Sequence, residues 1–392
     1  MASGWVYRAC YRHSCTKNPE LATLFARCSR LVQLAVNPLF IFDGPGRPRR
    51  KRGKHVRGNP HWIECDFKKM LDALGFAWKD APGEAESELA SLSKQGLLDA
   101  VLTEDSDTVV FSARTIIRFD GNVPDDEQVL VYRASDIENH ADLMLTHADL
   151  VLIALLVGGD YDHGIKDCGI ETAFGLARAG FGHSLSKAVS TCAAEDLPSD
   201  LDGWRTALCH EVITNSSKKL PRHCPTLAKN IPDDFPCNDI LFAYFQPLIS
   251  WEDPPCLSNR LPSPPTLARF AEEHFTWGDV IGILEHFTAT IYPGLALRIM
   301  MQIASAHDLG LQQPHIHSLV GEVITTRQQS SLQKCARSPE LRMQLNISKE
   351  MINEIVAALH NQGNKNEVES WISKRLPKLR AWIPVAVKQV VG

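Results

Sequence analysis

The 392-residue sequence predicts an α/β fold, a mainly parallel central sheet flanked by helices, followed by a helical part and a small α+β module. Three observations predict it. Helical stretches alternate with short apolar runs, and each run stops at an acid-bearing loop, the arrangement in which ligands collect beyond the carboxyl ends of strands. From Ser135 to about Ala194 the pattern is helical. Beyond His307 the texture changes to alternating, strand-like segments.

Taken in order, residues 18 to 36 carry Leu21, Leu24, Phe25, Cys28, Leu31, Val32, Leu34 and Ala35 at helical spacing, with Asn18 as N-cap and Pro19 at the first helical position. This helix is expected to end near Asn37. Pro38 to Phe42 is a continuous apolar run stopping at Asp43-Gly44-Pro45, a buried strand that delivers an acid at its end. A helix around Asp66 to Leu74 leads to Phe76-Ala-Trp78, and Asp99 to Leu102 is a strand ending in Thr103-Glu-Asp-Ser-Asp107. Residues 115 to 119 and 129 to 133, joined through Asp120-Gly121-Asn122, read as an edge hairpin. Ser135-Asp-Ile-Glu138 has the spacing of a capping box. Five prolines between 254 and 265 mark an extended connector, after which helices run through Phe270 to Phe287 and Leu295 to Ala306. Ser318 to Thr325, Leu341 to Ile347 and Arg380 to Pro384 are the expected strands of the final module.

Composition excludes several classes. Hydrophobic residues at 44% and charged residues at 22% are ordinary globular values, which argues against a disordered or fibrous chain. The longest apolar run, Leu150 to Val157, is far short of the roughly 20 residues of a membrane span, so no membrane partner is expected. Eleven scattered cysteines without a C-x-x-C pair read as reduced thiols of an intracellular protein. A net charge of -5 argues mildly against nucleic acid until its distribution is considered. Residues 47 to 57 hold seven bases and no acid: Arg47, Arg49, Arg50, Lys51, Arg52, Lys54 and Arg57. Such focusing is the footprint of a phosphate-contact surface, or alternatively of a nuclear localisation signal or a solvated loop.

Four loops present acids suited to one site: Asp43; Glu84 and Glu86 in Ala81-Pro-Gly-Glu-Ala-Glu86; Asp105 and Asp107; and Asp160 in Gly158-Gly-Asp-Tyr161. Hard oxygen donors gathered from several strand ends are what Mg²⁺ requires, and two such ions serve in-line attack on a phosphodiester. Singly, each has a plainer reading. Glu-x-Glu at a helix start is also a dipole arrangement, Glu-Asp-Ser-Asp a solvated turn, Asp43-Gly-Pro an ordinary turn, and Asp160-Tyr161 a helix cap.

Together, Phe42-Asp-Gly-Pro45, Ala81-Pro-Gly-Glu-Ala-Glu86, Thr103-Glu-Asp-Ser-Asp107 and Gly158-Gly-Asp-Tyr161, followed by Gly164-Ile165 and Cys168-Gly-Ile170, resemble the XPG and flap-endonuclease superfamily of structure-selective 5′ nucleases. The resemblance covers about 290 residues in family order. It implies a PIN-like 5′-nuclease fold and makes Asp43, Glu84, Glu86, Asp105, Asp107 and Asp160 the metal-binding acids. Implied cofactors are two Mg²⁺ ions, with Mn²⁺ as a substitute, and K⁺ at a helix-two-turn-helix spanning Tyr161 to Ala177. There Gly164, Ile165, Gly169 and Ile170 would contact duplex phosphates. The arch implied by Lys51, Arg52 and Arg57 is short, which resembles the Gen and Yen branch of Holliday-junction resolvases. One position departs from the pattern. The family's Asp-x-Ser-x-Trp is matched by Ser3 and Trp5, while its Asp falls at Met1, so the first metal-binding strand is expected to lie upstream of this sequence.

The resulting expectation divides the chain into a truncated N-terminal nuclease region (1–58), an internal nuclease region (59–160), the helix-two-turn-helix with the helical remainder of the core (161–306), and a chromodomain-like module (310–392). The function expected is a nuclear, Mg²⁺-dependent endonuclease cutting branched double-stranded DNA, Holliday junctions or 5′ flaps, by two-metal hydrolysis. Lys51 and Arg52 would join Glu84, Glu86, Asp105 and Asp107 in catalysis, and two protomers would meet on a four-way junction. The alternatives are a flap or exonuclease-type relative, and a junction-binding protein impaired by the absent first Asp. In the tail, Lys374, Arg375, Lys378 and Arg380 are expected to add DNA contacts rather than Trp371 and Trp382 forming a methyl-lysine cage, with a purely structural β module as the alternative. Lys218, Lys219 and Arg222 read as a solvated loop, or alternatively as an extension of the duplex surface.

Overall fold

The structure, a computed structural model, describes residues 2–10, 17–48, 50–51, 54–55, 61–119, 129–191, 197–251, 259–311, 319–327 and 339–387. Expectations placed on Met1, Arg49, Arg52, Arg57, the Asp120-Gly121-Asn122 turn and most of the proline-rich connector lie outside these residues, as do the side chains of Arg50 and Lys54. The chain divides into two compact units. One comprises Met1–Gly4, Ile41–Pro60 and Asp80–Asp253; the other comprises Trp5–Phe40, His61–Lys79 and Pro254–Gly392.

The chain opens with α1 (Ala2–Cys10) and α2 (Pro19–Val32). Pro19 begins α2 as expected, yet Asn18 does not cap it. Its backbone is left-handed (φ 49°), and its side-chain amide donates to the His274 carbonyl at 3.1 Å. The helix also stops at Val32 rather than near Asn37, because Leu34 and Val36 are exposed and leave no face to bury. Asn37 instead accepts at 2.9 Å from Arg298, a guanidinium that is 2% exposed.

Strand β1 (Leu39–Phe42) follows, then the two-residue antiparallel pair β2 (Arg50–Lys51) and β3 (Lys54–His55) within the basic segment. Next come α3 (Glu64–Ala73), β4 (Ala77–Asp80), α4 (Ala85–Lys94), β5 (Val101–Leu102) and the single turn α5 (Asp107–Val110). The hairpin expected from alternation is present as β6 (Thr115–Phe119) and β7 (Val129–Arg133). Strand β1 pairs with β4; β6 pairs with β5 in parallel and with β7 antiparallel, leaving β7 as an exposed edge.

The expected capping box at Ser135 is absent. Strand β7 runs directly into α6 (Ala134–Asn139), so Ser135 is already helical and Arg133 occupies the cap without a side-chain bond. The reciprocal box forms one element later, where the Thr146 hydroxyl and amide meet the Asp149 carboxylate at the start of α7 (His147–Val157). Helix α7 is the longest apolar run of the sequence and is buried among α8 (Ile170–Arg178) and α9 (Phe181–Thr191). The same unit continues through α10 (Leu197–Thr214), α11 (Pro225–Asn230) and α12 (Asn238–Phe245).

The second unit adds α13 (Pro264–His274), α14 (Val280–Ala289) and α15 (Ile291–Asp308). The expected C-terminal strands are β8 (Val320–Arg327), β9 (Glu340–Leu345) and β10 (Arg380–Pro384), an antiparallel sheet in the order β10, β9, β8. Between β9 and β10 lie α16 (Lys349–Ala358) and α17 (Lys365–Arg375). Trp371 is buried and donates to Glu285 at 2.8 Å, while Trp382 lies beneath the Arg342 guanidinium. Among the described residues no single helix is long and apolar enough to cross a membrane.

Candidate active site

All six acids singled out in the sequence lie in the first unit, and the backbone explains how their loops meet. Gly44 donates to the Gly83 carbonyl at 2.7 Å and Gly46 to the Pro82 carbonyl at 2.9 Å, so the loop after β1 is zipped to the loop before α4. A Cβ on Gly44 would lie 1.6 Å from the Ala81 carbonyl oxygen; only glycine permits this approach. Two motifs thirty-odd residues apart in sequence thereby become one surface.

Asp43 has its oxygens engaged. Its Oδ1 accepts the Ala85 amide at 3.0 Å, serving as the cap of α4 from a neighbouring strand. Its Oδ2 accepts from the Ser3 hydroxyl at 2.7 Å and faces Arg47 at 3.5 Å. Glu84 stands at the N-cap position of α4 but makes no side-chain cap bond, and Glu86 follows in the first turn, where the helix dipole favours negative charge. Both are 7% exposed. The plainer dipole reading of Glu-x-Glu is therefore part of the answer, while capping is left to Asp43.

On the facing loop, Thr103 accepts the Asp105 amide at 3.0 Å and Asp105 accepts the Asp107 amide at 2.9 Å, which fixes the turn that leads into α5 at Asp107. Asp160 enters from the loop after α7. That loop is held by Gly158 (φ 101°) and Gly164 (φ 74°), whose backbones approach so closely that a Cβ on Gly164 would stand 2.4 Å from the Gly158 nitrogen.

Electrostatics ties the acids together. Burial, reinforced by the charges of Asp43 and Asp105, raises the Glu86 carboxyl to about 8. Burial with the charges of Asp160 and Asp105 raises Asp107 to about 7. Glu86 Oε2 is buried without a hydrogen-bond partner among the described residues. Two buried carboxyls that resist ionisation, Glu86 and Asp107, among oxygen-only donors and with one Glu86 oxygen unmatched, suit a hard divalent cation. Among the described residues no three or more His, Cys, Asp or Glu side chains are placed to hold one metal ion together as they stand. The positive charge that bridges these acids is Lys51, whose ammonium pairs with Glu84 and lies 2.9 Å from Asp160. These acids push its proton affinity up despite burial.

Two residues that sequence reasoning passed over complete the site. The Tyr161 hydroxyl donates to Glu84 Oε2, and its ring lies 5.9 Å from the Lys51 ammonium. Behind it, Tyr244 of α12 packs edge-on with ring centroids 4.7 Å apart, and the Tyr244 hydroxyl fills the space a Cβ on Gly159 would need. Tyr161 was in view as the residue after Asp160; Tyr244, more than eighty residues later, carries no local signal.

At the turns after α7, Gly169 caps α8 with open space around its Cα, and Ile170 is 58% exposed. Ile165 is buried, its amide donating to Leu156 at 2.8 Å. Asn230 braces the turn by donating to the Lys166 carbonyl and to Asp167.

Residues 75–160 match the XPG I-region. The chain is 29% identical over 227 residues to mouse flap endonuclease GEN homolog 1 (53% of this chain, 23% of that protein). It is 28% identical over 234 residues to flap endonuclease GEN-like 1 of Arabidopsis thaliana (53% and 38%). It thus spans well under half the length of these curated relatives. Among solved structures it resembles a eukaryotic junction-resolving enzyme GEN-1 bound to cesium (TM-score 0.75, 27% identity, 99% of this chain and 87% of that one). It also resembles the Holliday junction-resolving enzyme GEN1 with product DNA and Mg²⁺ (TM-score 0.73, 27% identity, the same coverage).

Proposed function

We infer that this chain, a member of the XPG and flap-endonuclease superfamily in its Gen-type branch, hydrolyses phosphodiesters in branched double-stranded DNA in a divalent-metal-dependent reaction. The observation that carries the reading is the convergence of Glu84, Glu86, Asp105, Asp107 and Asp160 on one surface beside Lys51. In the GEN1 structure with product DNA, Mg²⁺ is present, which supports the metal assignment.

Glu84, Glu86, Asp105, Asp107 and Asp160 would hold two Mg²⁺ ions, which supply an activated water and stabilisation of the leaving oxygen. Asp43 acts through α4, fixing the amide end of the helix that carries Glu84 and Glu86. Lys51 keeps a positive charge at the acids and, when they are bound to metal, is free to meet the scissile phosphate. Arg47, Arg49, Arg50, Arg52, Lys54 and Arg57, which flank Lys51 in sequence, would add to the phosphate-contact surface. The backbone at Gly164, Gly169 and Ile170 faces a duplex arm, with K⁺ as the ion suited to its carbonyls. Specificity comes from the shape of the junction, since nothing here resembles a major-groove reading head. A nuclear location and two protomers on a four-way junction complete the proposal.

The test is cleavage of end-labelled four-way junctions, 5′ flaps and linear duplex with Mg²⁺ or with EDTA. Metal-dependent cutting of branched substrates by the wild type, lost in Asp105→Asn, is the expected result. Equal cleavage by Asp105→Asn overturns the assignment of the acids. Tight junction binding without cleavage favours a second reading, a junction-binding protein, for which the Lys51 bridge between Glu84 and Asp160 is the supporting observation.

A further inference from the structure

Between Val212 and Pro232 the sequence contains no Asp or Glu, while Lys218, Lys219, Arg222 and Lys229 fall within it. The same stretch has no Phe, Tyr or Trp. In the structure its first part is held rigidly. Glu211, 4% exposed at the end of α10, accepts from the Ser216 hydroxyl at 2.5 Å and from the Ser217 hydroxyl and amide at 2.6 and 3.2 Å. These bonds keep its carboxyl below the usual range despite burial. Asn215 closes the loop in both directions, donating to the Leu220 carbonyl at 2.9 Å and accepting the Leu220 amide at 3.1 Å. Asn215 and Lys218 both take left-handed backbone conformations, at φ 48° and 57°. The buried anion thus stabilises a loop shape that an isolated chain would rarely adopt.

What the loop displays is cationic. Lys218, Lys219 and Arg222 are exposed, and none is ion-paired with a described residue. The loop also abuts the expected helix-two-turn-helix: a Cβ on Gly175 of α8 would stand 2.7 Å from the Lys219 carbonyl. A solvated loop needs neither a buried carboxylate nor a glycine-permitted backing against α8.

We propose that the Glu211-braced loop Asn215–Leu220, with Arg222, is a second phosphate-contact surface for the duplex arm engaged by the turns after α7. A braced loop that displays several cations suits the phosphates of a duplex, and the absence of aromatic side chains from this stretch argues against a single strand, which is held by base stacking. The proposal rests on the DNA-directed function above and adds a separate contact to it.

The experiment measures binding of a fluorescent four-way junction in Ca²⁺ across a salt series, and cleavage in Mg²⁺ at saturating DNA. Lys218→Ala/Lys219→Ala/Arg222→Ala is expected to weaken binding about tenfold at moderate salt. It should also flatten the slope of log affinity against log salt by about two to three, while the cleavage rate at saturation stays within about twofold. Glu211→Ala and, with the helix untouched, Ser216→Ala/Ser217→Ala keep every cation and are expected to weaken binding at least about threefold through loss of the loop shape. A triple variant with the wild-type slope overturns the proposal, as does full binding by both brace variants in proteins that melt cooperatively. If the wild type binds no branched DNA at all, the functional reading itself has failed.

Discussion

Asp107→Asn should make the metal-free protein more stable at neutral pH, not less. In the folded chain burial and the charges of Asp160 and Asp105 lift the Asp107 carboxyl from 3.8 to about 7. An acid with a raised folded value binds its proton more tightly in the native state. Its stabilising contribution is complete below about pH 4 and is lost as pH rises through 7. Three units correspond to about 4 kcal/mol at most, and partial exposure brings this to about 2 to 3 kcal/mol. For domains of this size that is roughly 5 to 10 °C in melting temperature. The assay is thermal unfolding in EDTA from pH 4.5 to 8, wild type beside Asp107→Asn. The difference between the two should grow across that window in favour of the variant. Adding Mg²⁺ at pH 8 should raise the wild type and leave the variant nearly unmoved, because the ion stabilises the ionised carboxylates only in the native state. A difference that stays constant with pH, or a variant less stable at pH 8, refutes the idea that these acids are mutually strained.

Tyr161→Phe removes only the hydroxyl that donates to Glu84; Mn²⁺ affinity measured by calorimetry without DNA should fall several-fold while the melting temperature in EDTA changes little. Unchanged affinity would make Tyr161 a packing residue for Tyr244. Gly44→Ala places a Cβ 1.6 Å from the Ala81 carbonyl oxygen, so the two loops must part; a loss of about 2 kcal/mol or more is expected in denaturant unfolding, together with reduced metal affinity.

Much of the site was legible because its signals are local. Each acid closes an apolar run or opens a helix, and the spacing of the four blocks carried the resemblance. Helices α2, α3, α7 to α9 and α13 to α15 and the final strands were legible as apolar patterns, which a buried face imposes on sequence, whereas α10 to α12 were not anticipated. Local signals failed where the tertiary environment had a better offer. Asn18 reads as a cap but is drawn to the His274 carbonyl, and Ser135 begins a capping box that β7 overrides by continuing straight into α6. Glu-x-Glu looks like a self-capping start, yet the cap comes from Asp43 across the zipped loops.

Other features have no local signature at all. Tyr244 behind Tyr161 and Lys51 between Glu84 and Asp160 are juxtapositions of residues distant in the sequence, 83 positions for the tyrosines and 33 and 109 for the lysine. The basic loop after α10 reads from sequence as solvated or as part of a duplex surface, and no local pattern announces the buried Glu211 that shapes it. The sequence by itself determined which side chains this chain carries and which elements bury them. Only the tertiary structure decided which acid caps, which one strains, and where a buried carboxylate shapes a loop. Desolvation and hydrogen bonding depend on what lies opposite in space, and the sequence records only what lies next along the chain.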